Sequence, residues 1–193
     1  MAVPVGLFGA DLPEGFRYAA EFIDEDEERW LVDAIGGIEF STFEMRGVVA
    51  RRRVAFFGAT YDAGASASPP VPPFLFDLRR RLAAWADVGS DAFAMALINE
   101  YQPGAPIGWH RDAPQYDIVA GLSLLSACRM RFRRYERPGV ATGSRPRRTA
   151  THELVLEPRS AYLMTGAARQ AYEHHIPAVS TLRYSITFRT LRR

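Results

Sequence analysis

The feature that most constrains this chain is a change of hydrophobic period near residue 92. Before it, two segments carry their apolar residues at helical spacing. After it, residues 94–101, 118–125, 128–135, 154–156, 161–164 and 182–190 each read as a short strand, with turn signals between them. Several strands at this spacing fit a sandwich or jelly roll, and helices early with strands late give an α+β chain. The clearest strand is Leu182-Arg183-Tyr184-Ser185-Ile186-Thr187-Phe188-Arg189. Its alternation is strict, with Leu182, Tyr184, Ile186 and Phe188 on one face and Arg183, Ser185, Thr187 and Arg189 on the other.

The earlier part reads in coarser strokes. Residues 1–20 form an extended lead-in. Asp24 caps a helix over 25–35, with an acidic first turn, a stripe of Trp30, Leu31 and Ile35, and a stop at Gly36-Gly37. Residues 40–62 give two short strands and a turn. Residues 63–73, small residues and then Pro69-Pro70-Val71-Pro72-Pro73, give a surface loop. A second amphipathic helix covers 74–86, with Leu75, Leu78, Leu82 and Trp85 on one side and Arg79, Arg80 and Arg81 around the rest. Residues 136–150, which include Arg145, Arg147 and Arg148, read as a long basic loop.

Composition removes some function classes. The 193 residues suit one domain with a sizeable core, and 48% hydrophobic with 24% charged is ordinary for a soluble globular chain. No apolar run is long enough to span a bilayer, and no basic-then-apolar signal opens the chain, so no membrane partner is expected. The single cysteine, Cys128, excludes an internal disulfide and fits a reducing cytoplasm. Net charge is only +2, which does not announce a polyanion partner, yet all 24 basic residues are arginine, the better fork for phosphate and carboxylate. Codon bias in a GC-rich genome explains the arginine excess more simply than selection for binding.

Two constellations carry chemistry. His110 and Asp112 lie two apart, so in an extended segment both side chains share a face and can take two cis positions on a metal. A third ligand has to come from another strand, where His174 or His175 is available. Two histidines and one carboxylate on one face of Fe(II) leave positions open for a chelating keto acid and oxygen. A zinc hydrolase or a plain surface pair would explain His-x-Asp alone. The second constellation is the polar face of 182–189. At ~3.3 Å per residue the Cα atoms of Arg183 and Arg189 stand about 20 Å apart, and two side chains reaching in by ~6 Å each leave about 8 Å. That is near the length of a five-carbon dicarboxylate, which arginine forks grip at both ends.

Taken together, Asn99-x-Tyr101, His110-x-Asp112, His174-x-Ile176 and Arg183 through Arg189 resemble the AlkB family of Fe(II)- and 2-oxoglutarate-dependent dioxygenases. Arg53, Phe57-Gly58 and Tyr61 resemble the family's nucleotide-recognition lid, and the likeness covers roughly residues 50 to 190. It implies a double-stranded β-helix (jelly-roll) core over 93–193, with N-terminal helices and a lid over 1–92, in a single domain that is a cytoplasmic monomer. It implies His110, Asp112 and His174 as iron ligands; His174 is chosen over His175 because it stands two before Ile176 and three before Pro177. Arg183 with Tyr101 would take the distal carboxylate of 2-oxoglutarate, Arg189 and Asn99 would sit near the carboxylate that chelates iron, and Ser185 stands where the family usually has Asn. O2 is then the oxidant, succinate and carbon dioxide are products, and an N-methyl carbon of alkylated DNA or RNA is hydroxylated and lost as formaldehyde. Repair members carry a second acid just after His-x-Asp; here Ala113-Pro114-Gln115 follows, which leaves a protein side chain or small metabolite as the alternative substrate.

On the substrate side, Tyr61, Arg53 and Arg111 are the candidates. Phe57 reads as core, Tyr61 equally as core or as a base-stacking ring, and Trp109, on the opposite face from His110, as core. Arg129, Arg131 and Arg133 make a period-two ladder that suits either a phosphate backbone or a solvated sheet face. His152 reads as surface and Cys128 as buried.

Overall fold

A computed structural model of the chain describes residues 12–45, 48–59, 68–136 and 150–192. The elements run β1 (Phe16–Ala19), α1 (Glu25–Gly36), β2 (Ser41–Met45), β3 (Val48–Gly58), α2 (Phe76–Trp85), β4 (Phe93–Tyr101), β5 (Ile107–His110), β6 (Tyr116–Leu124), β7 (Cys128–Arg134), β8 (Thr151–Leu156), β9 (Ala161–Met164), α3 (Gly166–Gln170), β10 (Tyr172–Ile176) and β11 (Arg183–Leu191). Asp24 caps α1 as its sequence predicts, its carboxylate accepting from the Glu27 amide at 2.8 Å. A short 3-10 turn over Pro73–Leu75 leads into α2.

The strands form two antiparallel sheets. The larger has the order β1-β9-β6-β11-β4-β3-β2, the smaller β5-β10-β7-β8. They face each other as the double-stranded β-helix that the strand spacing predicts. The N-terminal part is more than helices and a lid, because β1, β2 and β3 all join the larger sheet and β3 pairs with β4 along Arg53–Gly58. Strands β1, β5 and β10 escape a periodicity reading because each has only four or five residues. Helix α3 is as short.

Strand parity divides the interior into two layers. Outward from the larger sheet, Ile98, Ala120, Leu122, Ile186 and Phe188 pack under Leu31 and Ile35 of α1 and Leu78 and Leu82 of α2. Toward the smaller sheet, Tyr101, Val119, Tyr162 and Met164 meet Met130, Phe132, Leu156 and Ile176. The second layer is incomplete. A narrow cleft of about 60 Å³ opens within it, lined among others by His110, Asp112, His174, Arg183 and Arg189. The helices therefore seal one face of the large sheet so that its other face can be polar.

Gly58 closes β3 at φ +78°, with its amide bonded to the Pro69 carbonyl at 2.8 Å. A Cβ there would lie 2.3 Å from the Ala94 carbonyl oxygen. We expect Gly58→Ala to destabilise the fold by about 2 kcal/mol or more, combining left-handed strain with a backbone clash, read as a lower urea midpoint at unchanged slope.

Candidate active site

The small sheet sets two histidines side by side. His110 ends β5 and His174 lies on β10, and the two are direct cross-strand partners with ring centroids 4.2 Å apart. The His110 Nδ1 lies 2.9 Å from the Gly108 carbonyl; as donor to it, that nitrogen leaves Nε2 as the free lone pair. Burial, then the neighbouring His110, pushes His174 down to about 3 despite the opposing pull of Asp112, so its imidazole is neutral and able to ligate without losing a proton.

Asp112 lies two residues beyond β5, in the loop to β6, and its two oxygens fare differently. Oδ1 accepts from Arg189 Nε at 3.0 Å and Nη2 at 2.8 Å. Oδ2 is buried with no hydrogen-bond partner and stands 3.8 Å from His174 Nε2, too far for a hydrogen bond. Burial alone would raise this carboxyl, but Arg189, through its charge and its hydrogen bonds, outweighs it and holds the group far below the usual carboxylate range. An ionised, buried, half-satisfied oxygen beside two neutral imidazoles is a donor set that fits a divalent transition metal. Among the described residues no set of three or more His, Cys, Asp or Glu is already drawn to metal-binding distance. The orphaned oxygen is what marks the place.

The other end of the cleft is built for an anion. Arg183 is 1% exposed, with Nε and Nη2 donating to Ser123 Oγ at 3.2 and 3.0 Å and Nη1 left buried without a partner. Its guanidinium stands 4.9 Å from the Tyr101 ring centroid. On the floor between the two arginines, Asn99 Nδ2 donates to Ser185 Oγ at 3.3 Å. The β4–β11 register explains the grouping, since it pairs Arg183 with Tyr101 and Ser185 with Asn99.

A family model described as the 2OG-Fe(II) oxygenase superfamily matches residues 38–189. The chain belongs to the 2OG-Fe(II) oxygenase superfamily. Enzymes of this superfamily use Fe(II), 2-oxoglutarate and O2. The chain is 27% identical over 91% of its length to the Alkylated DNA repair protein ALKBH8 homolog of Arabidopsis thaliana, of which it covers 54%. It is 33% identical over 51% of its length to the mitochondrial Alpha-ketoglutarate-dependent dioxygenase alkB homolog 7 of Bos taurus, of which it covers 41%. The chain thus spans about half the length of these curated relatives. Among solved structures, OsALKBH1 superposes with a TM-score of 0.65 at 14% identity, covering 91% of this chain and 98% of that one. A Pseudomonas putida prolyl-4-hydroxylase gives 0.58 at 16%, covering 93% of each. These two likenesses bear on the fold alone.

The structure distributes the remaining sequence candidates of this oxygenase unevenly. Arg53 does not line the cleft. It lies on the opposite face of β3, where Nε and Nη2 each meet a Glu100 carboxylate oxygen at 2.8 Å. Its neighbour Arg52, which the sequence reading passed over, is the residue of that triplet that does line the cleft, and its Nε donates to Asn99 Oδ1 at 3.3 Å. The clue was parity: Arg52 shares a face with buried Val54. Arg111 packs its guanidinium 3.6 Å from the Tyr135 ring centroid and bonds the Gln170 carbonyl, away from the cleft lining. Tyr61 and the arginines at 145, 147 and 148 lie outside the described residues.

Phe57 is core. Trp109 is not the core residue its parity suggested. It is half-buried on the outer face, stacked on His175 at 5.1 Å with Arg133 4.4 Å from its centroid. His175 therefore points away from His174. In the arginine ladder, Arg131 bonds Glu153 at 2.6 Å, Arg133 bonds Glu173 at 2.7 Å, and Arg129 reaches Glu153 at 3.6 Å. These cross-strand pairs offset much of the ladder's charge. Tyr162 was also missed. It lines the cleft, and burial first, then the negative Asp112, raises its phenol far above the ordinary value, so it stays protonated.

The Arg53–Glu100 pair yields a pH test. Hydrogen bonds from Arg53 lower the Glu100 carboxyl, against burial, below its ordinary 4.5. A depressed folded-state value stabilises the fold above the unfolded value and is lost as pH falls through the folded one. Arg53→Met should therefore be less stable than wild type near neutrality, with the gap closing as pH drops through the carboxylate range. A gap that stayed constant with pH in urea titrations would refute this account of the pair.

Proposed function

We propose that His110, Asp112 and His174 hold Fe(II), that Arg183 with Tyr101 takes one carboxylate of 2-oxoglutarate while Arg189, Asn99 and Ser185 attend the other, and that the acceptor is an N-methyl group of an alkylated nucleic-acid base. The observation that carries the site is the pair of buried, unpartnered polar atoms in one cleft, Asp112 Oδ2 and Arg183 Nη1. One is a negative oxygen lacking a cation and the other a positive nitrogen lacking an anion. A metal and a dicarboxylate supply the two missing partners.

Bound together, Fe(II), 2-oxoglutarate and O2 would supply the oxidation, in which 2-oxoglutarate and O2 become succinate and carbon dioxide as the N-methyl carbon gains a hydroxyl and is released as formaldehyde. The chain's own part is placement. Arg189 fixes Asp112 through Oδ1 and keeps it ionised, Arg183 anchors the far end of the co-substrate, and Tyr101, Met130 and Tyr162 wall the cleft against water. Arg52, at the cleft wall, is placed to meet an acceptor carbonyl or phosphate. The nucleic-acid acceptor rests on the Arabidopsis relative, named for alkylated DNA repair, which matches along 91% of the chain.

A second reading keeps the chemistry and takes a protein side chain or small metabolite. It is favoured by Pro114, which cannot accept the hydrogen bond of a base-reading acid, and by the commitment of Arg53 to Glu100. Among the described residues no helix is long and apolar enough to cross a membrane; a cytoplasmic setting and a monomer belong to the proposal.

Succinate release with Fe(II) and 2-oxoglutarate, with and without methylated oligonucleotides, separates the readings. Oligonucleotide-stimulated turnover with formaldehyde release is expected; turnover that no oligonucleotide stimulates favours the second reading. Asp112→Ala should abolish iron-dependent turnover while the circular-dichroism spectrum is kept. Arg183→Met should raise the KM for 2-oxoglutarate roughly 30-fold or more, as the loss of about 2 kcal/mol or more from a buried charge pair requires, with Fe(II) affinity retained.

A further inference from the structure

Asp112 sits in a loop, and a loop needs something to hold a ligand in place. Among the described bonds, the backbone of that stretch holds itself by the Tyr116 amide on the Ala113 carbonyl at 3.1 Å and the Arg192 amide on the Gln115 carbonyl at 2.8 Å. Arg189 of β11 holds the Asp112 side chain through Oδ1, and α3 supplies further bonds to the backbone around it. Arg169 is 5% exposed and directs one nitrogen, Nη2, at two loop carbonyls, Ala113 at 2.5 Å and Tyr116 at 2.9 Å. In return, Arg111, the residue before Asp112, donates from Nη1 to the Gln170 carbonyl at 3.1 Å, with its guanidinium braced on Tyr135. Tyr135 is in turn fixed by its amide on the Ala171 carbonyl at 2.9 Å. The bonds run both ways, from helix to loop and from loop to helix, and they bracket Asp112 on each side.

Helix α3 leads within four residues to His174, so the same two arginines tie the segment carrying one candidate metal ligand to the segment carrying another. Resting on the ligand assignment above, we propose that Arg169 and Arg111 form a clasp that sets the position of Asp112 Oδ2 relative to His174, making them positioning residues for the metal and not substrate contacts. Arg169 is an unusual choice for mere packing. Its hydrogen-bond partners among the described residues are neutral carbonyls, its Nε is buried without a partner, and an apolar side chain of similar volume would fill the space without the desolvation cost. What arginine adds is a donor that reaches two carbonyls at once. The loop residues between them, Ala113 and Pro114, contribute no polar side chain to the task.

The test is metal affinity in the full chain, read without turnover by titrating Co(II) into the metal-free protein and following its visible absorption. Arg169→Met should weaken Co(II) binding about tenfold or more, and Arg169→Lys, which can still reach a carbonyl, should recover part of it. Arg111→Met, a change at an exposed side chain, should show a smaller loss in the same direction. Ile35→Val under α1 serves as a control that lowers stability away from the cleft and should leave Co(II) affinity unchanged. Co(II) affinity equal to wild type in both arginine variants, or an equal loss in the Ile35 control, overturns the clasp. If wild-type protein takes up no Co(II), the ligand assignment itself fails and the clasp fails with it.

Discussion

Everything in this molecule depends on the two-residue parity of β11. The strand lies between β4 and β6 in the larger sheet, so neither edge is free and its register is fixed from both sides. One face supplies Ile186 and Phe188 to the helix-covered core. The other must then place Arg183, Ser185, Thr187 and Arg189 between the two sheets, where water is scarce. A slip of one residue would put the arginines under the helices and the phenylalanine in the cleft. The hydrophobic layer beneath α1 and α2 therefore aims the polar site.

That arrangement has an energetic cost that the site's chemistry offsets. Two guanidiniums are buried in a layer otherwise made of Tyr101, Val119, Met130 and Ile176. Each costs several kcal/mol to desolvate if unpaired. Arg189 recovers much of this from Asp112 within the chain, while Arg183 finds only a serine hydroxyl. In the proposed assignment this imbalance has a use: the fully paired Arg189 would support the metal end, and Arg183 would keep a nitrogen for an incoming carboxylate.

How much of this was legible in the sequence follows from which signals are local. The β11 alternation and the Asp24 cap are short-range patterns and appear in the fold as read, whereas His110 and Asp112 line one cleft although Asp112 lies in the loop beyond β5 and not in an extended strand. The family resemblance extended that to the grouping of Asn99, Tyr101 and His174 with them. What was lost depends on pairing across long stretches. Strands β1, β5 and β10 have too few residues to show a period, and their identity comes from the partner strand. Arg52 and Arg53 exchange roles because a run of three arginines hides its own parity until Val54 is seen to be buried. Arg169 was invisible because its partners are backbone carbonyls, which leave no trace in residue type. Trp109 was misplaced because the outer face of the small sheet carries an aromatic and arginine stack that parity alone assigns to a core.

The unequal treatment of the two Asp112 oxygens has a consequence for denticity. With Oδ1 held by both an Nε and an Nη2 of Arg189, the carboxylate can present only one oxygen to a cation. Ions that favour oxygen-rich, bidentate shells, such as Ca2+, find a poor host in one oxygen and two imidazoles, whereas a first-row transition ion is satisfied by three monodentate donors. With Asp112 as the proposed ligand, the arginine that steadies it would also act as a filter on which metal the cleft accepts.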